Sequence, residues 1–311
     1  MREEGTGIAM PARDAIERAW LTLGDGRRIS YGLGTALLRS DGDLAVLERA
    51  YAGGFRLFDT SLYYGDSELL LGRFLRSVPR ESIFLATKTQ IVRTRFEESG
   101  RPEVASFLRS CLDQSLQRLG VDYVDLYQFH ELQAAGNLEI AAEEGRKLQR
   151  EGRIRYLGAT GRDLEVLGRV VRSACFDTVL TYADYTPLTR TARTVLRDGA
   201  AAGVAMINAT PLAGGLLGGD DPRTLEWPEE GRADVEKAGR LYDLCSRLGV
   251  SPRTLALQLP MMNSDIAVTL TGPLTVEHLD HTLESLREPV DAMTWRAWDG
   301  WRKSDGVAEV L

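Results

Sequence analysis

Short apolar runs alternate with stretches of helical periodicity along nearly the whole chain, and this alternation constrains the fold more than any other feature. Strand-like runs fall at residues 31–34, 55–58, 83–87, 123–129, 154–159, 178–182, 204–208 and 266–271. Each is followed by a helical stretch: 43–53, 67–75, 102–119, 138–151, 164–171, 189–202, the pair 234–248 and 252–262, and 276–286. Strands separated by helices of this length pair in parallel as βα units rather than as hairpins. Eight units in about 280 residues predict an α/β fold of the (β/α)8 TIM-barrel type. The competing open, doubly wound sheet lacks its fingerprint, because Gly32-Leu33-Gly34 runs on into Thr35-Ala36-Leu37 and no G-x-G-x-x-G opens the first helix.

Two additions flank this barrel. Residues 20–23 and 28–30 around Gly24-Asp25-Gly26 read as an N-terminal hairpin. Trp295, Trp298 and Trp301 recur at helical spacing in a C-terminal tail helix, where they form a packing face or help to line a substrate mouth. A long glycine- and acid-rich loop, 212–232, follows the seventh strand. No linker divides the chain, so residues 1–311 are expected to form a single domain.

Composition narrows the partners. A net charge of −7 disfavours nucleic acid and anionic membrane surfaces. No apolar run is long enough for a membrane span, and the first residues show no secretory signal core. Cys111, Cys175 and Cys245 are scattered, which fits buried thiols in a reducing cytoplasm better than disulfides or a metal site. Oligomeric state is not readable.

In a barrel, chemistry gathers where strands leave the sheet at their C-terminal ends. Asp59 and Tyr64 follow the second strand, Lys88 the third and His130 the fourth. On neighbouring strands these side chains should converge. An ammonium beside a phenol favours the phenolate, so Lys88 is expected to lower the pKa of Tyr64, with Asp59 holding the lysine charged. His130 can hydrogen-bond a substrate oxygen or relay a proton. Singly, each has a plainer role: a helix cap, a core phenol, a solvated ammonium, a satisfied imidazole. Together they suit proton transfer at a carbonyl or alcohol oxygen. No metal-ligand spacing is present, since His278 and His281 lie far along the chain.

The motifs Gly32-Leu33-Gly34-Thr35, Phe58-Asp59-Thr60-Ser61-Leu62-Tyr63-Tyr64-Gly65, Ala86-Thr87-Lys88 and Asp122-Tyr123-Val124-Asp125-Leu126-Tyr127-Gln128-Phe129-His130 resemble the aldo-keto reductase family. Residues 151–158 and 210–217 continue the match. The resemblance implies a barrel that binds NAD or NADP in extended form and moves a hydride between nicotinamide and a carbonyl or hydroxyl carbon. It assigns Tyr64 as general acid/base, Lys88 and Asp59 as the groups that tune it, and His130 as the residue that orients the carbonyl. It also implies cofactor contacts from Gly34, Thr35, Asp59, Thr160, Tyr182 and Thr210, and from Leu212, Gly214, Leu216, Gly272 and Thr275. Segments 156–161, 180–185 and 208–212 look like the branch of aldose and L-galactose dehydrogenases, whose substrates are free sugars. Asp184, Glu131, Trp227 and the tail tryptophans are candidates for lining such a substrate's pocket.

The chain departs from the family in places. Thr160-Gly161 stands where Ser-Asn is usual, Tyr182 where glutamine is usual, and Ala209 where an aromatic residue stacks on the ring. Residues 271–282 contain no Lys or Arg for a 2′-phosphate, which favours NAD over NADP. A helix N-terminus near Thr275 could still receive a phosphate. Two alternatives use the same fold: a non-redox proton-transfer enzyme (a dehydratase or epimerase) with weak or no nicotinamide use, and a binding module, against which the intact tetrad argues.

Overall fold

The computed structural model describes residues 21–22, 28–93, 100–133, 138–305 and 307. β1 (Leu21–Thr22) pairs antiparallel with β2 (Arg28–Ile29) as the expected hairpin, and its turn lies outside the described residues, as does the N-terminal stretch read for a signal core. The barrel strands follow: β3 (Tyr31–Gly34), β4 (Leu57–Asp59), β5 (Phe84–Arg93), β6 (Val124–Leu132), β7 (Ile154–Thr160), β8 (Thr178–Tyr182), β9 (Ala205–Ala209) and β10 (Val268–Thr271). Each pairs in parallel with its neighbour, and β10 closes on β3, so the sheet is the expected (β/α)8 barrel.

Alternation along the strands decides what faces the barrel axis. Leu57, Ala86, Leu126, Leu180, Ile207, Val268 and Leu270 form a separate apolar cluster that fills the interior. The residues between them, such as Phe58, Leu85, Tyr127, Phe129 and Val179, join the larger core under the helices. Those helices are α1 (Leu44–Ala52), α2 (Ser67–Leu75), α3 (Arg101–Leu119), α4 (Leu138–Arg150), α5 (Leu164–Ser173), α6 (Arg193–Ala201), α7 (Arg232–Leu248), α8 (Pro252–Gln258) and α9 (Val276–Arg287). Among the described residues no helix is long and apolar enough to cross a membrane.

Three boundaries differ from expectation for physical reasons. Strands β5 and β6 run past Thr87 and Phe129, because Ile91 still pairs with His130 and Arg93 with Leu132 across a bulge after Lys88. Lys88 and His130 therefore sit within strands, not beyond them. The sixth helix starts at Arg193 rather than 189, because Thr186 and Thr189 first exchange backbone hydrogen bonds in a turn. Residues 252–262 split into α8 and a short 3-10 turn at Leu259–Met262, where Pro260 has no N–H to extend the α-helix.

The tail is α10 (Ala292–Ser304), capped by the Asp291 carboxylate on the Thr294 N–H at 2.7 Å. Trp298 is buried, and Trp295 and Trp301 pack half-buried on the main core. All three serve packing.

Candidate active site

Period-two alternation carries the chemistry to one place. Gly34 pairs with Asp59, Asp59 with Ala86, and Lys88 with Gln128, so Asp59, Lys88 and Gln128 face inward near the C-terminal rim. Two residues beyond Gln128, His130 faces inward as well. Tyr64 arrives from the β4–α2 loop, where Gly65 adopts φ 59° to turn the chain. Lys88 ion-pairs with Asp59 and donates to the Thr60 carbonyl at 2.8 Å. Its Nζ lies 5.0 Å from the centre of the Tyr64 ring. The Tyr64 and His130 rings meet edge to face at 5.4 Å. The four candidate catalytic residues thus come together, and all four line one cavity of about 710 Å³.

Electrostatics follow from burial. Burial pulls the Lys88 ammonium down, but the Asp59 charge, then Tyr64, together with hydrogen bonds to both, carry it above its ordinary value. Burial pushes Asp59 up against the pull of Lys88 and Gln128, whose amide donates to Asp59 Oδ2 at 2.9 Å. We read the pair as ammonium and carboxylate near neutrality, since each charge has its counter-charge and further hydrogen bonds. Burial lowers His130 to about 3, helped by the Lys88 charge, so its imidazole is neutral. The Ser61 hydroxyl lies 3.0 Å from His130 Nδ1, 3.4 Å from the Thr89 carbonyl, and accepts the Tyr63 N–H at 3.1 Å. We assign its proton to the shorter contact, which leaves a donor N–H on Nε2.

One expectation is corrected. Lys88 does pull the Tyr64 phenol down, but burial raises it by more, with Asp59 and Glu131 adding to the rise, so its pKa lies above the ordinary value. The protonated phenol is the form this site favours.

The residues implied as cofactor contacts divide. Gly34, Thr160, Tyr182, Thr210, Leu212, Gly214 and Gly272 line the same cavity as Asp59. Thr35, Leu216 and Thr275 are not in that lining. The Thr35 hydroxyl is buried against the Asp59 carbonyl and Ser67, Leu216 joins the apolar core, and Thr275 caps α9 through the His278 N–H at 3.1 Å. Of the candidates for a substrate wall, Glu131 lines the cavity, whereas Asp184, Trp227 and the tail tryptophans do not. Asp184 turns to Thr181 and Arg162, and the Trp227 indole donates to the Pro222 carbonyl. Glu131 has φ 58°, unusual for a residue with a Cβ, and its N–H donates to Thr160 Oγ1 at 3.1 Å. Burial, with the Glu131 charge next, raises Tyr182 to about 12.

The sequence reading missed Gln128 and Ser61, which hold Asp59 and His130. Gln128 carried a signal, since an amide at an inward position of an apolar strand needs a buried partner. Arg253 was also missed. It lies on α8, lines the cavity, and carried no strand-end signal.

Whether this mouth suits a nicotinamide dinucleotide is testable on its shape and donors. Its volume is in the upper range for cofactor and small-molecule sites, typically about 300–1,000 Å³. Thr210, Ala213, Gly214 and Gly215 all have positive φ, bending the chain after β9 at the mouth. Besides Lys88, the wall carries a second cation, Arg253. The residues present fit the group.

A parallel barrel with an acid–base constellation at its C-terminal mouth defines a proton-transferring active site of the barrel-enzyme class. The family model for the Aldo/keto reductase family matches residues 30–303, and the chain belongs to that family. It is an NAD(P)-dependent oxidoreductase. The chain is 30% identical to L-galactose dehydrogenase of Arabidopsis thaliana over 82% of its length and 87% of the relative's. It is 27% identical to D-threo-aldose 1-dehydrogenase of a Pseudomonas species over 83% and 87%. It is 26% identical to a probable aldo-keto reductase 1 of Glycine max over 80% and 76%. The first two support placement in the aldose and galactose dehydrogenase-like branch.

Proposed function

We propose that the chain interconverts an aldose, or a related sugar, with its oxidised product, that Tyr64 is the general acid/base, and that NAD is the preferred cofactor. When bound, the nicotinamide supplies or accepts the hydride. In reduction, neutral Tyr64 donates its proton to the carbonyl oxygen while the neutral His130 Nε2–H hydrogen-bonds the same oxygen. In oxidation, the base is the minor phenolate form of Tyr64, which the Lys88 ammonium stabilises; it takes the proton from the hydroxyl and becomes the neutral phenol. Asp59 holds that ammonium in place, and Gln128 holds Asp59.

The observation that carries this reading is the position of Lys88, paired with Asp59 and beside the Tyr64 ring in the wall of one cavity. Glu131 adds an acceptor to the same wall, which suits a substrate with several hydroxyls. The NAD preference rests on residues 271–282, which contain no Lys or Arg.

The test follows nicotinamide absorbance with an aldose and aldehyde panel and with NAD and NADP in both redox states. Tyr64→Phe should lower kcat by about 10²- to 10⁴-fold while dinucleotide affinity stays near that of wild type. Unchanged turnover in that variant would remove Tyr64 from the mechanism. Turnover of the panel without any nicotinamide would replace redox chemistry with proton transfer alone.

A further inference from the structure

The cavity wall contains two Lys or Arg side chains, Lys88 and Arg253. The charge of Lys88 is matched by Asp59. That of Arg253 is not: among the described residues its guanidinium makes no ion pair, and its partner is the Gly218 carbonyl, which Nε reaches at 2.8 Å and a terminal nitrogen also contacts. Asp220, exposed at the same rim, makes no ion pair with it. An arginine fork with five donors has spent two on one carbonyl. The remaining donors and the whole charge are left at the cavity edge, in a chain whose net charge is −7.

Its setting gives that charge a place. Arg253 comes from α8, outside residues 271–282, yet it shares the cavity wall with Gly272, His278 and Thr282 of that segment. Its hold on Gly218 ties it to the chain that follows the positive-φ turn at Thr210–Gly215 (210–215). Gly219, at φ 130°, lies beside the guanidinium: a Cβ there would fall 2.1 Å from a terminal nitrogen of Arg253.

We propose that Arg253 is the phosphate-binding cation of this site and contacts a phosphate of the nicotinamide dinucleotide. The inference rests on the reading of the cavity as a dinucleotide site. It supplies from α8 the cation that residues 271–282 lack. A guanidinium meets phosphate oxygens in the planar, two-pronged geometry that an ammonium cannot match.

The test is equilibrium binding, independent of turnover. Wild type, Arg253→Gln and Arg253→Lys are titrated with NAD+ and NADP+ by quenching of tryptophan fluorescence at two salt concentrations, with melting temperature as a folding check. Arg253→Gln should weaken binding by about ten- to a hundredfold and flatten its salt dependence, with Arg253→Lys in between. Equal loss for both dinucleotides assigns Arg253 to the pyrophosphate, and loss confined to NADP+ assigns it to the 2′-phosphate. Wild-type affinity and salt dependence in Arg253→Gln overturn this proposal alone. A wild type that binds neither dinucleotide overturns it together with the functional reading. If Arg253→Gln does not fold, Arg253→Lys decides: it must bind more weakly than wild type.

Discussion

Replacing Lys88 with Met removes a charge and keeps most of the side-chain volume, so it isolates the buried pair. Lys88 is 2% exposed and Asp59 is 4% exposed, so water cannot re-solvate the carboxylate left behind. Of the groups that pull the carboxylate down, only the Gln128 amide remains among the described residues. Breaking one side of such a pair costs about 3–5 kcal/mol, because an uncompensated charge stays buried. For a chain of this size that corresponds to a melting temperature lower by roughly 5–8 °C.

The sign of the pH dependence follows. Burial already raises Asp59, and without Lys88 it rises further above its unfolded value. A carboxyl raised on folding favours the native state at low pH and loses that contribution as pH rises through its folded value. The deficit of Lys88→Met against wild type should therefore be small near about pH 4 and grow toward about pH 8. Adding Asp59→Asn, which retains an acceptor for Gln128, should recover most of the loss, as buried pairs replaced on both sides do. Urea unfolding of wild type, both single variants and the double variant across that range measures the whole cycle. A single variant as stable as wild type at neutral pH would mean the pair is not a buried ion pair. A loss that does not vary with pH would mean the lysine contributes packing instead of charge.

In the reduction direction, kcat/KM should be flat from about pH 5 to 8, since burial keeps His130 neutral, with a value of about 3, and Tyr64 protonated. A limb near the ordinary histidine value of 6.5 would instead require a charged His130 at the low end. Gly72 and Gly300 both lie within helices but differ in surroundings: a Cβ at Gly72 would lie 2.6 Å from the Arg118 carbonyl oxygen and 2.8 Å from that of Leu119, whereas nothing lies within 4 Å of one at Gly300. Gly72→Ala should destabilise by about 1–3 kcal/mol, and Gly300→Ala should stabilise by about 0.5–1 kcal/mol through helix propensity. A urea midpoint that does not fall in Gly72→Ala would show that α2 and α3 do not need that close approach.

Much of this was legible because barrel strands write their orientation into the sequence. Leu57 and Asp59, Ala86 and Lys88, and Leu126, Gln128 and His130 are successive inward positions, apolar below and polar at the rim. The alternation of strand-like and helical stretches announced the barrel, and the polar residues at the strands' C-terminal ends announced where chemistry sits. Strand limits were less readable, because the expected strands stopped just before Lys88 and His130, while backbone pairing is indifferent to side-chain polarity and carried β5 to Arg93 and β6 to Leu132. The direction of the Tyr64 shift was not readable at all. Sequence order names Lys88 as a neighbour, but whether its charge outweighs burial depends on how deeply the fold buries the phenol.

Arg253 shows a different limit. Strand ends can be found by alternation, but the sequence does not say which helix residues reach the same mouth, since that depends on loop length and crossing geometry. A search for phosphate partners within 271–282 was a search along the chain. The cavity is assembled across it: Arg253 comes from α8, Gly218 from the loop after β9, and His278 from α9. A segment with no cation can thus border a site that has one. With Arg253 in the proposed role, cofactor preference would depend on which phosphate lies within reach of its guanidinium as well as on the composition of the segment after β10.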